Sequence, residues 1–595
     1  MVTATQTTSD PQTVPTPAVN TGSNVEPVPL VIGVTGHRDL VPGEIPQIRQ
    51  RVREFLTDLK NRYPALPLRV ISALAEGGDR LIAEEALALD IPLIAALPMA
   101  PEAYRDDFAT PSSAAQFEGL LGAAARVLEL PRLAGTGAED PGLASEQNRQ
   151  RQYAQLGIFL CAHCHILLAL WDGKASDQLG GTAQVVRFHQ DDVMPGFTDD
   201  APASRLGLAD DESDLVYHIV CSRDRPHGEP EAGLKPLDAA WLTTDPDQPR
   251  SAGLPERYEQ IFHRTEQFSR DGARFAGRIA AEQYPLLPDP PPADLPESLR
   301  AIDTVFVVAD WLAIHYQKRF TAMMRATHVL AVLMGLTFIA YSDLPNQEYM
   351  IYAFLVFFAV GAALFLVAKR GDWHRKYLDY RALAEGLRVQ FFWAAAGVET
   401  GKATKYTHDN FLQKQDVELG WIRNVMRVTG MGIDLDRGVH HAGLVFAIAE
   451  WIGAEDGGQL GYYARKAGER TRLYGITQNL ALIGLSIGVL TAVILALFHN
   501  AMSDTWRDVL IVLMGSMPLI VAVRQAYSHK KADKELTKQY QFMHQIFVNA
   551  RRRLDGATSD AERRKILKAL GDAALDEHAE WILMHRERPL EHGRY

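Results

Sequence analysis

From Pro29 to about Val220, near-continuous apolar runs alternate with segments whose apolar positions recur every three or four residues. The runs Leu30 to Thr35, Leu68 to Ala73, Pro92 to Leu97, Arg126 to Leu130, His165 to Trp171 and Leu215 to Val220 are short and rich in branched side chains, which predicts strands. Helical periodicity covers Glu44 to Tyr63, Asp79 to Leu89, Ser113 to Ala125, Ser145 to His163 and Gly181 to His189. Strands apolar on both faces and separated by helices predict a parallel sheet covered on both sides, an α/β, doubly wound, Rossmann-like domain. Residues 190 to 214 and 222 to 255 lack periodicity and read as surface excursions. A helix is expected over Glu256 to Gln283, followed by a stiff linker from Tyr284 to Pro296 that holds Pro-Asp-Pro-Pro-Pro.

Beyond the linker the pattern changes. No formal charge falls between Arg325 and Asp343, between Glu348 and Lys369, from Leu473 to Phe498, or from Val509 to Val523. A helix needs roughly 20 apolar residues to cross a bilayer, so these runs predict an all-α region with four transmembrane helices in two hairpins. Lys318, Arg319 and Arg325 precede the first span, and Lys369, Arg370, Arg375 and Lys376 follow the second. Arg465, Lys466, Arg470 and Arg472 precede the third, and Arg524, Lys530, Lys531 and Lys534 follow the fourth. Arg507 is the sole Lys or Arg in the loops between the paired spans. The positive-inside rule then keeps the N- and C-terminal parts in the cytoplasm. Each half runs basic approach, apolar hairpin, basic exit and amphipathic helix, the pattern of an internal duplication.

Composition adjusts this picture. In 595 residues, 61 Lys and Arg face 73 Asp and Glu, a net charge of −12, which argues against a protein built to hold nucleic acid. Three cysteines, Cys161, Cys164 and Cys221, form no disulfide framework and fit a reducing compartment. Residues 1–28 are rich in Thr, Pro and Ser and read as a disordered leader. The expected units are 29–222 (sheet domain), 223–296 (excursion, helix and linker), 297–400 (first two-span module), 401–472 (connector), 473–555 (second two-span module) and 556–595 (C-terminal helical segment).

In an open parallel sheet, ligands bind outside the carboxyl ends of the strands. Three loops there carry candidate chemistry: Thr35, Gly36, His37 and Arg38; Glu76, Gly77, Gly78, Asp79 and Arg80; and Asp172 and Gly173 with Gly180, Gly181 and Thr182. Glycines let backbone N–H groups approach a ligand, a helix opening at Gly181-Thr182 offers free N–H groups to phosphate, Arg38 and Arg80 suit phosphate oxygens, and Glu76 or Asp172 suit ribose hydroxyls. Against this, Asp79 reads equally as a helix cap and His37 as a satisfied loop histidine. Cys161-x-x-Cys164 with His163 and His165 has metal-ligand residue types, but no second pair follows at finger spacing, so no metal site is assigned. No Walker-type loop occurs. Gly484, Gly488, Ala492 and Ala496 form a small-residue stripe suited either to packing within the chain or to self-association.

Val31-Ile32-Gly33-Val34-Thr35-Gly36-His37-Arg38, Ser72 to Asp79, Leu170-Trp171-Asp172-Gly173 and Gly180-Gly181-Thr182-Ala183 together resemble a SLOG-type domain, the Rossmann-like sensor superfamily related to DprA and to the LOG cytokinin-activating enzymes. The stretch Tyr377 to Arg388, Trp421-Ile422-Arg423, Tyr462-Tyr463 with Lys466, and Trp581 with His585-Arg586 resemble SLATT two-span membrane effector modules. The resemblance implies a bacterial inner-membrane, multi-pass protein in which a cytosolic nucleotide sensor controls a pore-forming or membrane-perturbing effector in a conflict or stress response. It implies a nucleotide, ADP-ribose or NAD-derived ligand rather than a resident cofactor, with the lipid bilayer and further copies of the chain as partners. The alternative is a membrane-tethered nucleotide N-glycosidase resembling the LOG phosphoribohydrolases. In those enzymes a Gly-Gly-x-Gly-Thr-x-x-Glu motif supplies the catalytic carboxylate, and aligning Gly181-Thr182 puts Val185 at that position. No catalytic residue is therefore assigned, although Glu76 or Asp79 would be the substitutes.

Overall fold

The computed structural model describes residues 27–108, 110–133, 146–198, 214–292, 295–296, 298–398, 411–412, 419–432, 441–454 and 457–586. The leader through residue 26, most of the acidic stretch before Asp214, much of the connector and the last nine residues lie outside them.

In chain order the sheet domain contains β1 (Leu30–Gly36), α1 (Ile45–Arg62), β2 (Leu68–Ser72), α2 (Gly78–Ala88), β3 (Leu93–Leu97), α3 (Pro101–Arg105), α4 (Pro111–Ala123), β4 (Arg126–Glu129), α5 (Glu146–Ala162), β5 (Ile166–Trp171), α6 (Thr182–Asp191), β6 (Val216–Val220), β7 (Ala239–Leu242) and β8 (Arg250–Ser251). One eight-stranded sheet runs in the order β4-β3-β2-β1-β5-β6-β7-β8. Its first six strands are parallel, with Leu30 opposite Leu68 and Ile32 opposite Ile166. Alternate residues of β1 enter two cores: Ile32 and Val34 pack under α1, α2 and α4, while Val31 packs under α5 and α6. That period-2 division explains why the strands are apolar throughout. The stretch after Cys221 is not wholly loop, as the sequence pattern suggested. It holds β7 and β8, which pair antiparallel at the sheet edge and are too short to display alternation.

Then follow α7 (Glu256–Glu282), α8 (Leu299–Asp343), α9 (Met350–Arg370), α10 (Trp373–Ala396), α11 (Gly420–Thr429), α12 (His441–Ala447) continuing as a π-turn over Ile448–Ile452, α13 (Gly458–Phe498), α14 (Asp504–Lys530), α15 (Asp533–Gly556) and α16 (Asp560–Arg586). Among the described residues, four stretches are long and apolar enough to cross a membrane, in α8, α9, α13 and α14. In α8 the change is abrupt: Leu299 to Met324 contribute thirteen buried residues, whereas the charge-free half beyond Arg325 leaves Val329, Leu333, Phe338 and Tyr341 exposed. Leu482 (67% exposed) and Leu497 (72%) on α13 would be untenable on a water-soluble surface of this extent. Apolar exposure along helices of this length is the pattern of membrane-spanning segments.

The hairpins pack through small residues. A Cβ on Gly484 would stand 2.5 Å from Val521 Cγ2, and one on Gly488 would stand 3.1 Å from Pro518 Cγ. This half of the small-residue stripe therefore serves packing within the chain. Gly515 lies against Ile339 and Gly335 against Leu519, which joins α14 to α8 and so one hairpin to the other.

The exits from the two hairpins share one backbone geometry. The α9–α10 junction passes through Gly371 (φ −84°, ψ −4°) and Asp372 (φ 51°, ψ 32°), and the α14–α15 junction through Lys531 (φ −78°, ψ −5°) and Ala532 (φ 51°, ψ 36°). Each kink opens a helix of 24 residues. Left-handed conformation disfavours Ala and is held here at both exits, so the kink belongs to the architecture rather than to one local sequence.

A single apolar core crosses the Pro-rich stretch. It starts under β1 and continues through Phe268 of α7, Trp421 of α11, Tyr380 of α10 and Phe547 of α15.

Candidate functional site

Strand order ascends from β1 to β4 on one side and continues with β5 and β6 on the other, so the topological switch point lies between β1 and β5. The His37 N–H donates to Leu170 O at 3.0 Å, carrying the β1–β5 pairing to the carboxyl ends of both strands. Just beyond, His37 Nε2 lies 3.1 Å from Asp172 Oδ1. Asp172 is almost fully buried, and burial opposes its charge. His37 and the Lys174 N–H nevertheless hold its carboxyl below the usual range.

The loops after β1 and β2 close upon each other. Gly78 N–H donates to His37 O at 2.9 Å, and a Cβ on Gly36 would stand 2.9 Å from Gly78 Cα. Gly77 has φ +81°, and a Cβ there would stand 2.4 Å from Arg38 O and 2.5 Å from His37 O. These glycines let two loops approach each other, whereas the sequence suggested approach to a ligand.

The turn at Gly77 sends Asp79 and Arg80 inward. Asp79 accepts N–H bonds from Ala75 and Gly36, and burial pushes its carboxyl up to about 7. Arg80 is 1% exposed; Nε donates to Leu74 O at 3.0 Å and Nη1 to Ser113 O and Oγ at 2.8 Å, with the guanidinium over the Phe108 ring. Both residues organise the loops from below, and Arg80 is not presented to a ligand. Glu76, half-buried, accepts from the Ser113 hydroxyl.

Arg38 is the exposed member, its guanidinium 5.8 Å from the centre of the Tyr153 ring on α5. Tyr153 also abuts Gly180: a Cβ on that glycine, at φ +72°, would stand 2.8 Å from Tyr153 Cβ. Gly181 begins α6 with no side-chain cap, so its first N–H groups open on the same edge as Arg38. Gly173 is covered by the excursion, where Leu234 Cδ1 would meet its Cβ at 2.5 Å. Thr35 is buried beneath the pair, and Thr182 is half-exposed at the start of α6. The structure thus gathers Thr35, Gly36, His37, Arg38, Glu76, Gly77, Gly78, Asp172, Gly180, Gly181 and Thr182 around one strand-end crevice. Asp79 and Arg80 lie under it and Gly173 is roofed over. Tyr153 and Ser113 were not singled out by sequence reasoning, since neither lies in a Gly-rich turn.

Val185, aligned with the hydrolase carboxylate, is buried away from this crevice. Its Cγ2 would meet a Cβ on Gly157 of α5 at 2.7 Å.

The Cys161–His165 segment works at the opposite end of the sheet. His165 Nδ1 accepts the Val31 N–H at 2.9 Å, which leaves Nε2 protonated to donate to Asn424 O of α11 at 3.1 Å. Burial first holds this imidazole down to about 4. His163 Nδ1 lies 2.9 Å from Arg427 O, also on α11. Cys164 is buried and its thiol is pushed up to about 12. The two histidines form a joint between the sheet and the helical half.

No protein family, curated protein or solved structure matches this chain.

Proposed function

We propose that the chain is a membrane-anchored sensor: the strand-end crevice binds a nucleotide-derived small molecule, and its occupancy biases the arrangement of the four spans. The observation carrying this reading is that β1 serves both ends. Its carboxyl end supplies Gly36, His37 and Arg38, and its amino end supplies the Val31 N–H held by His165, which in turn holds α11. From α11, Trp421 packs on Phe268 of α7 and Tyr380 of α10. Asp271 of α7 then takes Lys376 at 2.8 Å and the hydroxyls of Tyr316 on α8 and Tyr380. Helices α8 and α10 lead directly to the first hairpin. A ligand shifts such an assembly only by binding one arrangement better than the other.

The basic flanks of the spans support an orientation with the sheet domain in the cytoplasm, and the resemblance implies the bacterial inner membrane. The resemblance to SLOG and SLATT modules agrees with this division of labour, and a pore would be built from several copies because no Asp, Glu, Lys or Arg sits within a span. Isothermal titration of the full-length detergent-solubilised protein with nucleoside phosphates, ADP-ribose and NAD derivatives tests the reading. Binding by one of them, lost in Arg38→Ala, is the expected result. Silence across the panel overturns it, and release of free base would convert the sensor into an N-glycosidase.

A further inference from the structure

On the basic side, α14 is tied to α13 and to α8 by two polar contacts. Arg524 Nη2 donates to Thr477 Oγ1 at 2.9 Å and Arg325 Nε to Tyr527 OH at 3.4 Å, which marks the polar boundary of the bundle. Lys530 ends α14 six residues past Arg524, and Phe320 of α8 lies five before Arg325. At 1.5 Å per residue both stand about 8 to 9 Å beyond that boundary. The headgroup layer on each side of a ~30 Å hydrocarbon core is about 5 to 7 Å deep, so both stand at its outer edge, within reach of a lipid phosphate for a side chain as long as that of Lys.

Lys530 is half-buried and has no carboxylate, hydrogen-bond or ring partner among the described residues. Its neighbour His374 of α10 also faces His585 and Arg586 of α16. Burial, then the neighbouring His585, Arg586 and Lys530, hold the His374 imidazole down to about 4, so it lines the site as a neutral ring. Nearby, Asp379 takes Arg375 at 3.0 Å and Arg586 at 3.1 Å, and Arg375 also reaches Asp372 at 3.1 Å, so these two guanidinium groups are matched by two acids, and the cations of this cluster without an ion pair among the described residues are Lys530, Lys531 and Arg319. Arg319 lies 5.5 Å over the Trp373 ring and Lys531 5.5 Å over Tyr527. Phe320 stacks on His374 with ring centres 4.4 Å apart. Positive charge in excess of its counter-ions, flanked by Trp and Tyr, is the composition that recognises a phosphate at a membrane interface.

We propose that Lys530, with His374, Trp373, Arg319 and Phe320, forms a binding site for the headgroup of an anionic phospholipid. Lys530 supplies the charge on the phosphate, and Trp373 and Phe320 flank the glycerol and first methylenes. Because Lys530 ends the second hairpin and the other four belong to α8 and α10, the lipid bridges the two modules. The proposal rests on reading the apolar helices as membrane spans.

The test uses full-length protein in mild detergent and native mass spectrometry with added phosphatidylglycerol, phosphatidylcholine or inorganic phosphate. Phosphatidylglycerol should be retained and phosphatidylcholine lost. Lys530→Gln should weaken retention about fivefold, as expected for one cation at an anionic surface. Lys530→Arg should restore it, and Lys568→Gln, which alters an exposed pair with Asp572 on α16, should leave it unchanged. Equal retention of both lipids, indifference to Lys530→Gln, or displacement of the lipid by inorganic phosphate overturns the site. Carbonate extraction of the membranes separates this result from the underlying reading: release of the chain into the supernatant would refute the spans themselves.

Discussion

His37 Nε2 lies 3.1 Å from Asp172 Oδ1, and that contact ties the carboxyl end of β1 to that of β5 at the place where strand order reverses. Each partner is nearly buried, so neither water nor another side chain can replace the other cheaply.

Removing both partners should therefore cost less than the sum of removing each. His37→Gln and Asp172→Asn should each destabilise the fold by about 1 to 3 kcal/mol, and the double variant by less than their sum. Because the Asp172 carboxyl is held below its ordinary value, its contribution is complete above that value and fades as the pH falls through the folded one. Urea denaturation at pH 7 and pH 3 checks both points. Strict additivity at pH 7 would show that the pair is not coupled.

Asp79 has the opposite sign. The unfolded chain releases this proton near 3.8 and the folded one near 7, so between these values the fold holds a proton that the unfolded chain has lost. Stability contributed by this group falls as the pH rises from about 4 to about 7 and is level above that. Asp79→Asn, which carries no such proton, should flatten the melting temperature against pH across that window relative to the wild type. Parallel profiles for the two proteins would contradict a buried, proton-holding carboxyl.

How far the sequence reveals this arrangement depends on what each segment must satisfy locally. The run Leu30-Val31-Ile32 is legible because a strand buried on both faces has to be apolar at every position, and Leu473 to Phe498 because lipid imposes the same demand on a helix. β7 escapes notice because four residues at a sheet edge bear no period. Arg80 sits in a loop that promises phosphate chemistry, yet the left-handed turn at Gly77 directs it to Leu74 and Ser113. No local pattern encodes that choice. The role of His165 is equally hidden, since its partner Asn424 stands 259 residues further along. Ligand-type residues at Cys161 to His165 invite a metal reading, and only the tertiary fold shows their rings bonded to α11.

The packing of the second hairpin offers a test that needs no ligand. Gly484→Val places methyl groups where Val521 already sits, while Gly475→Val, also on α13, has nothing within 4 Å to meet. Overpacking of this kind typically costs about 1 to 3 kcal/mol. The melting temperature in detergent should fall for Gly484→Val, recover when Val521→Ala is added, and stay unchanged for Gly475→Val. Equal effects of the two glycine substitutions would mean that α13 meets α14 through another face.

The joint at His165 makes the most direct prediction about coupling. The imidazole satisfies two buried backbone groups, the Val31 N–H and the Asn424 carbonyl, so His165→Phe leaves both without a partner. Each such loss costs about 1 to 3 kcal/mol, enough to loosen the contact without unfolding a sheet whose register depends on β2 and β5. Hydrogen exchange should therefore quicken in α11 and in the amino end of β1, while Gly36 and Gly78 at the far end keep their protection. His165→Asn, whose carbonyl can still accept from Val31 but is too short to reach Asn424, should loosen α11 alone. If the strand-end crevice binds a nucleotide and communicates with the spans through this joint, that ligand should still bind the Phe variant and yet no longer alter exchange in α10. A ligand effect on α10 that survives His165→Phe would require a different route between crevice and membrane.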